Sequence, residues 1–355
     1  MTNNVGVRYP RETVTYFHLL FVAMIGYNDL DVERKIVSVL KIISESAQPV
    51  GARLIARQLK ERGVELGERA VRYHLKLMDE KGLTRLVGRD GRLITEAGIE
   101  ELESALVRDK VGLSISRIEM LSFRTDFDLD KKSGLIPVNI SFFEEGSFGR
   151  AIKSMRPAFR AGLCASDLVG VARAGESLGE YVIPEGKIGL ATVCSLVING
   201  ALLKAGIPID SKFGGILQIR NREPVRFVEL IHYAGSSLDP SEVFISARMT
   251  SVGQAAREGS GRILANFREI PALCREISDG VIARLREARV SGAMVIGETS
   301  EPVCEVPIEL NRIGMVLLGG LNPVAAAAED GIAVESHAMS TVLDYGGLIK
   351  FEELE

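Results

Sequence analysis

The sequence predicts an α/β protein, α+β overall, in which an N-terminal winged helix-turn-helix precedes an internally duplicated α/β domain. Three observations carry that expectation. Between residues 31 and 105, three helical periodicities are followed by two short β-prone runs around Arg89-Asp90-Gly91. From Val111 onward β-prone runs alternate with helical ones, as layers of sheet and helix require. Within that second part, 20 residues repeat without a gap: IGLATVCSLVINGALLKAGI from Ile188 answers to IGMVLLGGLNPVAAAAEDGI from Ile313.

At 355 residues the chain suggests two or three domains, by the soft rule of about 100 to 200 residues each. The expected division is an N-terminal extension over 1–30, a winged helix over 31–105, and two effector halves over 111–225 and 226–355. Formal net charge is −4, which argues against a general nucleic-acid binder. Yet Gly51 to Ile94 holds eleven Lys and Arg against six Asp and Glu, a local basic footprint in an acidic protein. The four cysteines, at 164, 194, 274 and 304, lie far apart with no C-x-x-C pair. That spacing points to reduced thiols in a cytoplasm, with no metal site and no disulfide framework. The apolar patch Tyr16 to Tyr27 is about half of what a membrane span needs, so no membrane association is expected. It reads either as a short helix packing on the next domain or as an extension left by a start codon assigned ahead of Met24.

Taken in order, Ile36, Val39, Leu40 and Ile43 mark a first amphipathic helix that Asp29 or Asp31 can cap, and Pro49 and Gly51 end it. A second helix turns Ala52, Ile55, Ala56 and Leu59 inward, with Gly63 placed for a left-handed C-terminal residue. The turn VELG leads into a third, ERAVRYHLKLMDEKG, whose apolar stripe is Val71, Leu75 and Met78. Two short helices joined so tightly form the arrangement whose second member lies in a DNA major groove. Arg69, Arg72, Tyr73 and Lys76 recur at i, i+3, i+4 and i+7 on another face of that helix. Arg69, Arg72 and Tyr73 are the candidates for base edges, since bidentate Arg to guanine is the commonest specific contact. Lys76, Arg53 and the hairpin arginines Arg85, Arg89 and Arg92 are the candidates for phosphates, which hold the duplex without reading it. Thr95 caps a last short helix leading to the second part.

In the second part the β-prone runs are VGLSISRIEML, LIPVNISFF, GLATVCSLVI and GMVLLGGL. Further matches suggest two copies: Ile118 to Leu121 with Val228 to Ile231, Leu163-Cys164 with Leu273-Cys274, and FGGIL with YGGLI. The second copy carries an insertion, GETSEPVCEVPI, of the kind that becomes a surface loop. In each copy a β-prone run breaks, at Asn199-Gly200 or at Leu321-Asn322-Pro323, and continues as a helix ending at Gly206 or Gly331. A helix opening after a strand presents free N–H groups and a positive dipole end, suited to a carboxylate or phosphate. Simple capping by Asn is the competing reading of the same residues. Thr192, Cys194, Ser195, Asn199 and Lys212 around the first break, and Asn322 at the second, are the candidate ligand-binding residues. No Gly-rich phosphate loop, dinucleotide fingerprint or nucleophile elbow occurs, and the four histidines have no evident acid-base partners, so no enzyme is expected. A DNA-reading module joined to a non-catalytic α/β domain points to ligand-controlled transcription. The input such a unit would take is a small anion or, alternatively, a protein partner.

The winged segment IARQLKERGVELGERAVRYHLKLMDEKGLTRLVGRDGRLITEAG, followed by VGLSISRIEMLSFRTDFD, TVCSLVINGALLKAGIPI, FGGILQI, GSSLDPSEVF and NRIGMVLLGGLNPVAAAAEDGI, resembles the NrpR nitrogen-regulatory repressors over about residues 31 to 351. The resemblance implies a repressor of nitrogen-assimilation genes that binds palindromic double-stranded operator DNA as a homo-oligomer, a dimer or higher. It implies 2-oxoglutarate as the small-molecule effector that releases the repressor, no other cofactor, and a ligand-proximal place for Cys194 within TVCSLVING. Longer members carry two effector regions in tandem where this sequence has one, and some members divide the work between two chains. A second NrpR-type chain is therefore a further expected partner.

Overall fold

The computed structural model describes residues 35–354 apart from 47, 62, 63, 65, 89, 90 and 105–112. Expectations about the 1–30 extension, the Asp29 or Asp31 cap, Gly63 and Arg89 fall outside the described residues. The chain divides into two compact units, Met1–Lys110 and Val111–Glu355.

The first unit is a winged helix. Helix α1 spans residues 35–44, α2 is Ala52–Glu61 and α3 is Glu68–Glu80. Their apolar stripes meet in one core, in which Val39, Leu40, Ile43, Ile55, Val71, Leu75 and Met78 are fully buried. Each such side chain contributes about 1.5 to 3 kcal/mol by leaving water. Gly82, with φ 73°, releases the chain from α3 into strand β1, Thr84–Val87, which pairs antiparallel with β2, Gly91–Ile94. Gly91 has no room for a side chain: a Cβ there would lie 2.4 Å from the Val50 carbonyl, with φ at 138°. This close approach lets Val50 and Arg92 exchange two backbone hydrogen bonds, which fasten the wing to the turn before α2. Helix α4, Glu96–Ser104, is capped as expected, Thr95 Oγ1 accepting from the Gly98 N–H at 3.1 Å.

The second unit opens on α5, Leu113–Arg124. Here VGLSISRIEML had read as β-prone, but Ile118 and Leu121 are buried while Glu119 and Met120 are exposed, a helical spacing. Then follow β3 (Leu135–Glu144), α6 (Glu145–Arg160), β4 (Leu168–Arg173), the small hairpin β5 (Ser177–Leu178) and β6 (Tyr181–Val182), β7 (Lys187–Val193), α7 (Leu196–Lys204) and β8 (Asp210–Arg220). Strand β9 (Glu223–His232) and short helices α8 (Pro240–Ser246) and α9 (Val252–Glu258) lead to the second series. That series is β10 (Gly261–Pro271), α10 (Arg275–Glu287), β11 (Ala293–Thr299), β12 (Arg312–Leu318), α11 (Asn322–Glu329) and β13 (Val334–Asp344), with β14 (Ile349–Lys350) after it.

The duplication is visible element by element: β3, α6, β4, β7, α7 and β8 recur as β10, α10, β11, β12, α11 and β13. The central pairings match as well, Asn139 standing opposite Thr192 on β7 and Asn266 opposite Leu317 on β12. Gly206 and Gly331 end the two equivalent helices with φ of 78° and 77°.

The two sheets do not follow the boundary at residue 225. One has the order β13-β3-β7-β4-β14 and the other β11-β12-β10-β8-β9, all antiparallel. Each copy thus gives its last strand to the other: β8 pairs with β10, and β13 pairs with β3. Three of the shorter sequence matches also lose their meaning. Ile118 to Leu121 is helical whereas Val228 to Ile231 is strand β9. FGGIL lies inside β8, whose counterpart is β13, whereas YGGLI follows β13 as a turn and β14. Leu163-Cys164 precedes β4, whereas Leu273-Cys274 precedes α10. A match of two to five residues is too short to tell one period from another.

Candidate nucleic-acid interface and effector pocket

Helix α3 presents two chemically distinct faces. Val71, His74, Leu75 and Met78 are buried, and Arg69, Arg72, Tyr73 and Lys76 stand exposed, Tyr73 at 62%. Arg72 is tied to Glu68 at 2.5 Å and Lys76 to Glu80 at 3.8 Å, both exposed pairs one turn apart. Such pairs are worth about 0 to 1 kcal/mol, so both cations can be recruited by a phosphate or base edge at little cost. Arg53 on α2 and Arg85 on β1 are also exposed. Arg92, expected to hold phosphate, is instead spent inside the unit: its Nε donates to Asp79 at 2.8 Å while the Thr84 hydroxyl donates to the other Asp79 oxygen at 2.6 Å. Asp79 thus ties both wing strands to the end of α3.

In the second unit, the equivalent strands β3 and β10 each carry an asparagine where an apolar residue would be expected, in LIPVNISFF and RILANFREI. Both line one small cavity, Asn139 and Asn266, together with Cys194, Ser195, Tyr233, Asp239, Ser241, Arg268, Gly320 and Met339. The first residues of the two equivalent helices border it too, Leu196 of α7, and Leu321 just ahead of α11. Gly320 marks how closely the copies approach, since a Cβ there would lie 2.3 Å from the Val193 carbonyl oxygen and 2.6 Å from Asn139 Nδ2. The helix break expected at Asn199-Gly200 lies further back: α7 begins at Leu196, so Cys194 and Ser195 stand at its N-terminal end and Asn199 lies within it.

The polar groups are wired to one another. Tyr233 donates its hydroxyl to Asn266 Oδ1 at 2.5 Å, and Asn266 Nδ2 donates to Ser195 Oγ at 3.1 Å. Burial pushes the Tyr233 phenol above its usual range, which keeps that proton in place. Asn139 accepts the Met339 N–H at 3.0 Å and donates to Thr192 Oγ1 at 3.3 Å. Met339 sits at φ 49° in a bulge that interrupts the pairing of β13 with β3. Burial also raises the Cys194 thiol to about 12, so it is a neutral apolar wall and not a nucleophile. Asp239 caps α8, accepting from the Ser241 N–H at 2.7 Å, and burial raises its pKa.

Arg268 is the charge in this setting. It is 1% exposed, its Nε donates to Asn199 Oδ1 at 3.4 Å, its Nη1 donates to the Phe267 carbonyl at 3.1 Å, and its guanidinium carbon lies 5.0 Å from the Tyr233 ring centroid. No carboxylate among the described residues forms an ion pair with it. A buried cation held only by neutral groups leaves several kcal/mol of desolvation uncompensated. An anion in the cavity would supply that compensation.

Of the residues expected to bind a ligand, Cys194 and Ser195 line the cavity, and Thr192 and Asn199 stand behind it, holding Asn139 and Arg268. Two do not belong. Lys212 is ion-paired with Asp210 at 2.8 Å, Glu309 at 3.1 Å and Glu269 at 3.5 Å. Partial burial lowers its pKa, but those carboxylates more than offset this and hold it raised, so its charge is already answered. Asn322 mimics backbone, accepting the Leu264 N–H at 2.7 Å and donating to the Leu264 carbonyl at 2.9 Å. Sequence reasoning missed Asn139, Tyr233, Asp239, Asn266 and Arg268. The paired asparagines were detectable, since aligning LIPVNISFF with RILANFREI puts them at one position; Arg268 aligns with Ser141 and gives no such signal.

No helix among the described residues is long and apolar enough to cross a membrane. A family model described as NrpR regulatory domains NRD1 and 2 matches residues 111–350, and one described as the ribonuclease R winged-helix domain matches residues 37–102. The global nitrogen regulator NrpRI of Methanosarcina mazei is 41% identical over 317 residues, covering 89% of this chain and 98% of its own. The global nitrogen regulator NrpR of Methanococcus maripaludis is 33% identical over 88% of this chain, which spans only 55% of that relative. A crystal structure of a nitrogen repressor-like protein from Methanococcus jannaschii superposes with a TM-score of 0.57 at 27% identity, over 67% of this chain and 98% of that one. With a winged helix, a duplicated regulatory unit and relatives that are nitrogen regulators, the chain belongs to the NrpR family of nitrogen-regulatory repressors.

Proposed function

We propose that the chain represses nitrogen-assimilation genes by docking α3 on palindromic operator DNA, and that 2-oxoglutarate releases it by entering the pocket at Arg268. Arg69, Arg72 and Tyr73 read base edges, and Arg53, Lys76, Arg85 and Arg89 hold phosphates. A two-fold operator calls for a two-fold protein, with reading helices about 34 to 36 Å apart, so the DNA-bound form is a dimer or higher.

The observation that carries the ligand reading is the buried guanidinium of Arg268, in no ion pair among the described residues, beside Ser195, Asn266 and the start of α7. A dicarboxylate would give it one carboxylate and present the other to asparagine and hydroxyl donors. The cavity holds only about 20 Å³, room for about one water. Entry of a five-carbon dicarboxylate must therefore part the surfaces that meet there, which come from both copies through Ser195 and Gly320. Ligand and unliganded packing then exclude one another, as a switch requires.

The test is a titration of a fluorescent inverted-repeat operator, with and without millimolar 2-oxoglutarate, for the natural chain and Arg268→Met. Expected is release of the natural chain, and operator binding without release for the variant. Absence of operator binding would remove the DNA reading, and release of the variant would remove Arg268. Because the chain spans about half of the longer relative, a second NrpR-type chain is the alternative receiver. That reading is favoured if release of the natural chain requires adding it.

A further inference from the structure

A second concave site lies at the outer end of β8 and β10, away from the residues described above. It is a groove of about 430 Å³, lined by Arg220, Arg248 and Arg262 with Ser260 and Gln254, over Met249. No carboxylate lines it, and none of the three arginines is ion-paired with any described residue.

The duplicated fold provides an internal control. In the first copy, Leu135 donates its N–H to the Asp126 side chain and accepts the Asp126 N–H. In the second, Arg262 donates its N–H to Ser251 Oγ and accepts the Ser251 N–H, both at 2.8 Å. A glycine stands just before Leu135 and just before Arg262, Gly134 or Gly261, where a Cβ would collide with the Asp126 or Ser251 carbonyl. In the register of the last strands Asp344 stands opposite Leu135 and Gln218 opposite Arg262, with Arg220 two residues further along β8. One backbone corner is therefore built with Asp126, Leu135 and Asp344 in one place and with Ser251, Arg262 and Gln218 in the other. The corner does not require an arginine at position 262. Arg248 adds to this, because it occupies a left-handed position at φ 54°, just past α8, where glycine would sit without strain.

We propose that this groove binds a phosphate-bearing small molecule of about mononucleotide size. Three arginines lining one groove that no carboxylate lines are suited to a phosphate, whose oxygens can accept two parallel hydrogen bonds from a guanidinium. The volume falls in the range of about 300 to 1,000 Å³ typical of small-molecule sites, and Met249 lines it beside the polar residues.

The test is calorimetric and thermal-shift titration of the full chain at low ionic strength with ATP, AMP, adenosine, inorganic phosphate and pyrophosphate. Saturable binding of the phosphate compounds is expected, with none for adenosine. Nucleotides binding more tightly than phosphate would identify a nucleotide as the ligand, and parity would identify free phosphate. The double variant R220E/R262E should lose affinity on the order of tenfold or more, while its release from operator by 2-oxoglutarate stays as in the natural chain. Arg248→Gly should melt at a higher temperature than the natural chain without ligand, yet bind the ligand more weakly. The proposal is overturned if no phosphate compound binds, or if binding survives both sets of substitutions. It is equally overturned if R220E/R262E weakens operator binding and leaves nucleotide binding intact, since the groove would then hold duplex phosphates.

Discussion

At the scale of single residues, the account rests on charges whose surroundings differ. Arg268 is buried without an ion pair among the described residues, and replacing it by Met should leave the unliganded protein as stable or more so, because the desolvation penalty disappears with the charge. The same change should weaken 2-oxoglutarate by about 1.5 to 3 kcal/mol, the worth of a hydrogen bond to a charged group, as read by calorimetry. Asp239 tests the same pocket through pH. Burial raises its pKa, so the folded state binds the proton more tightly than the unfolded chain. Stability associated with it is present below the ordinary carboxylate range and is lost as pH rises through the folded value. Asp239→Asn, which keeps a capping oxygen, should therefore stabilise the protein near neutrality. That gain should shrink toward pH 4 in denaturation curves, and the pH dependence of 2-oxoglutarate affinity should flatten. On α3, Arg72→Ala should lower affinity at one operator base position by about 1 to 3 kcal/mol, whereas Arg85→Ala should weaken operator and random duplexes alike. Equal losses for both variants on both duplexes would erase the distinction between reading and holding.

At the scale of elements, the wing depends on close backbone contact more than on its own two strands. Gly91→Ala would force a Cβ into the Val50 carbonyl and should destabilise the first unit by about 1 to 3 kcal/mol or more. Chemical denaturation would show it, and operator affinity should fall with it. The helices of this unit were readable from sequence because their signal is local: Val71, Leu75 and Met78 report their common face within three turns. The start of α7 was misplaced toward Asn199-Gly200, since the apolar run passes from strand to helix without a polar break, and every residue from Leu196 to Leu202 is buried. Helix α5 reads as a strand for the opposite reason, its β-branched and apolar residues being dense enough to imitate one. Arg92 shows a third limit. Its partner Asp79 is brought to it by the hairpin, and no spacing rule distinguishes an arginine held this way from one offered to phosphate.

At the scale of the whole second unit, the duplication was legible in the 20-residue repeat from Ile188 and Ile313. The exchange of last strands was not. Pairing of β8 with β10 and of β13 with β3 is a long-range choice that leaves no mark on local periodicity. Its consequence is physical, because neither copy can complete a sheet alone. A fragment spanning 111–225 should lack the cooperative transition that 111–355 shows, and mixing 111–225 with 226–355 should restore it. Independent folding of the first fragment would contradict the exchange. The same interlocking places Asn139 and Asn266, and the starts of α7 and α11, around one cavity. A ligand that parts them acts on both copies at once, which is how a small molecule can reset an entire regulatory unit.

The central claim is that ligand and operator compete through this unit, and competition of that kind is reciprocal. The direct measurement is the affinity of the chain for 2-oxoglutarate, free and saturated with an inverted-repeat operator, beside its affinity for operator with and without 2-oxoglutarate. The account predicts the same weakening factor in both directions, about 5- to 150-fold, and its loss in Arg268→Met. A 2-oxoglutarate affinity unchanged by operator would contradict it.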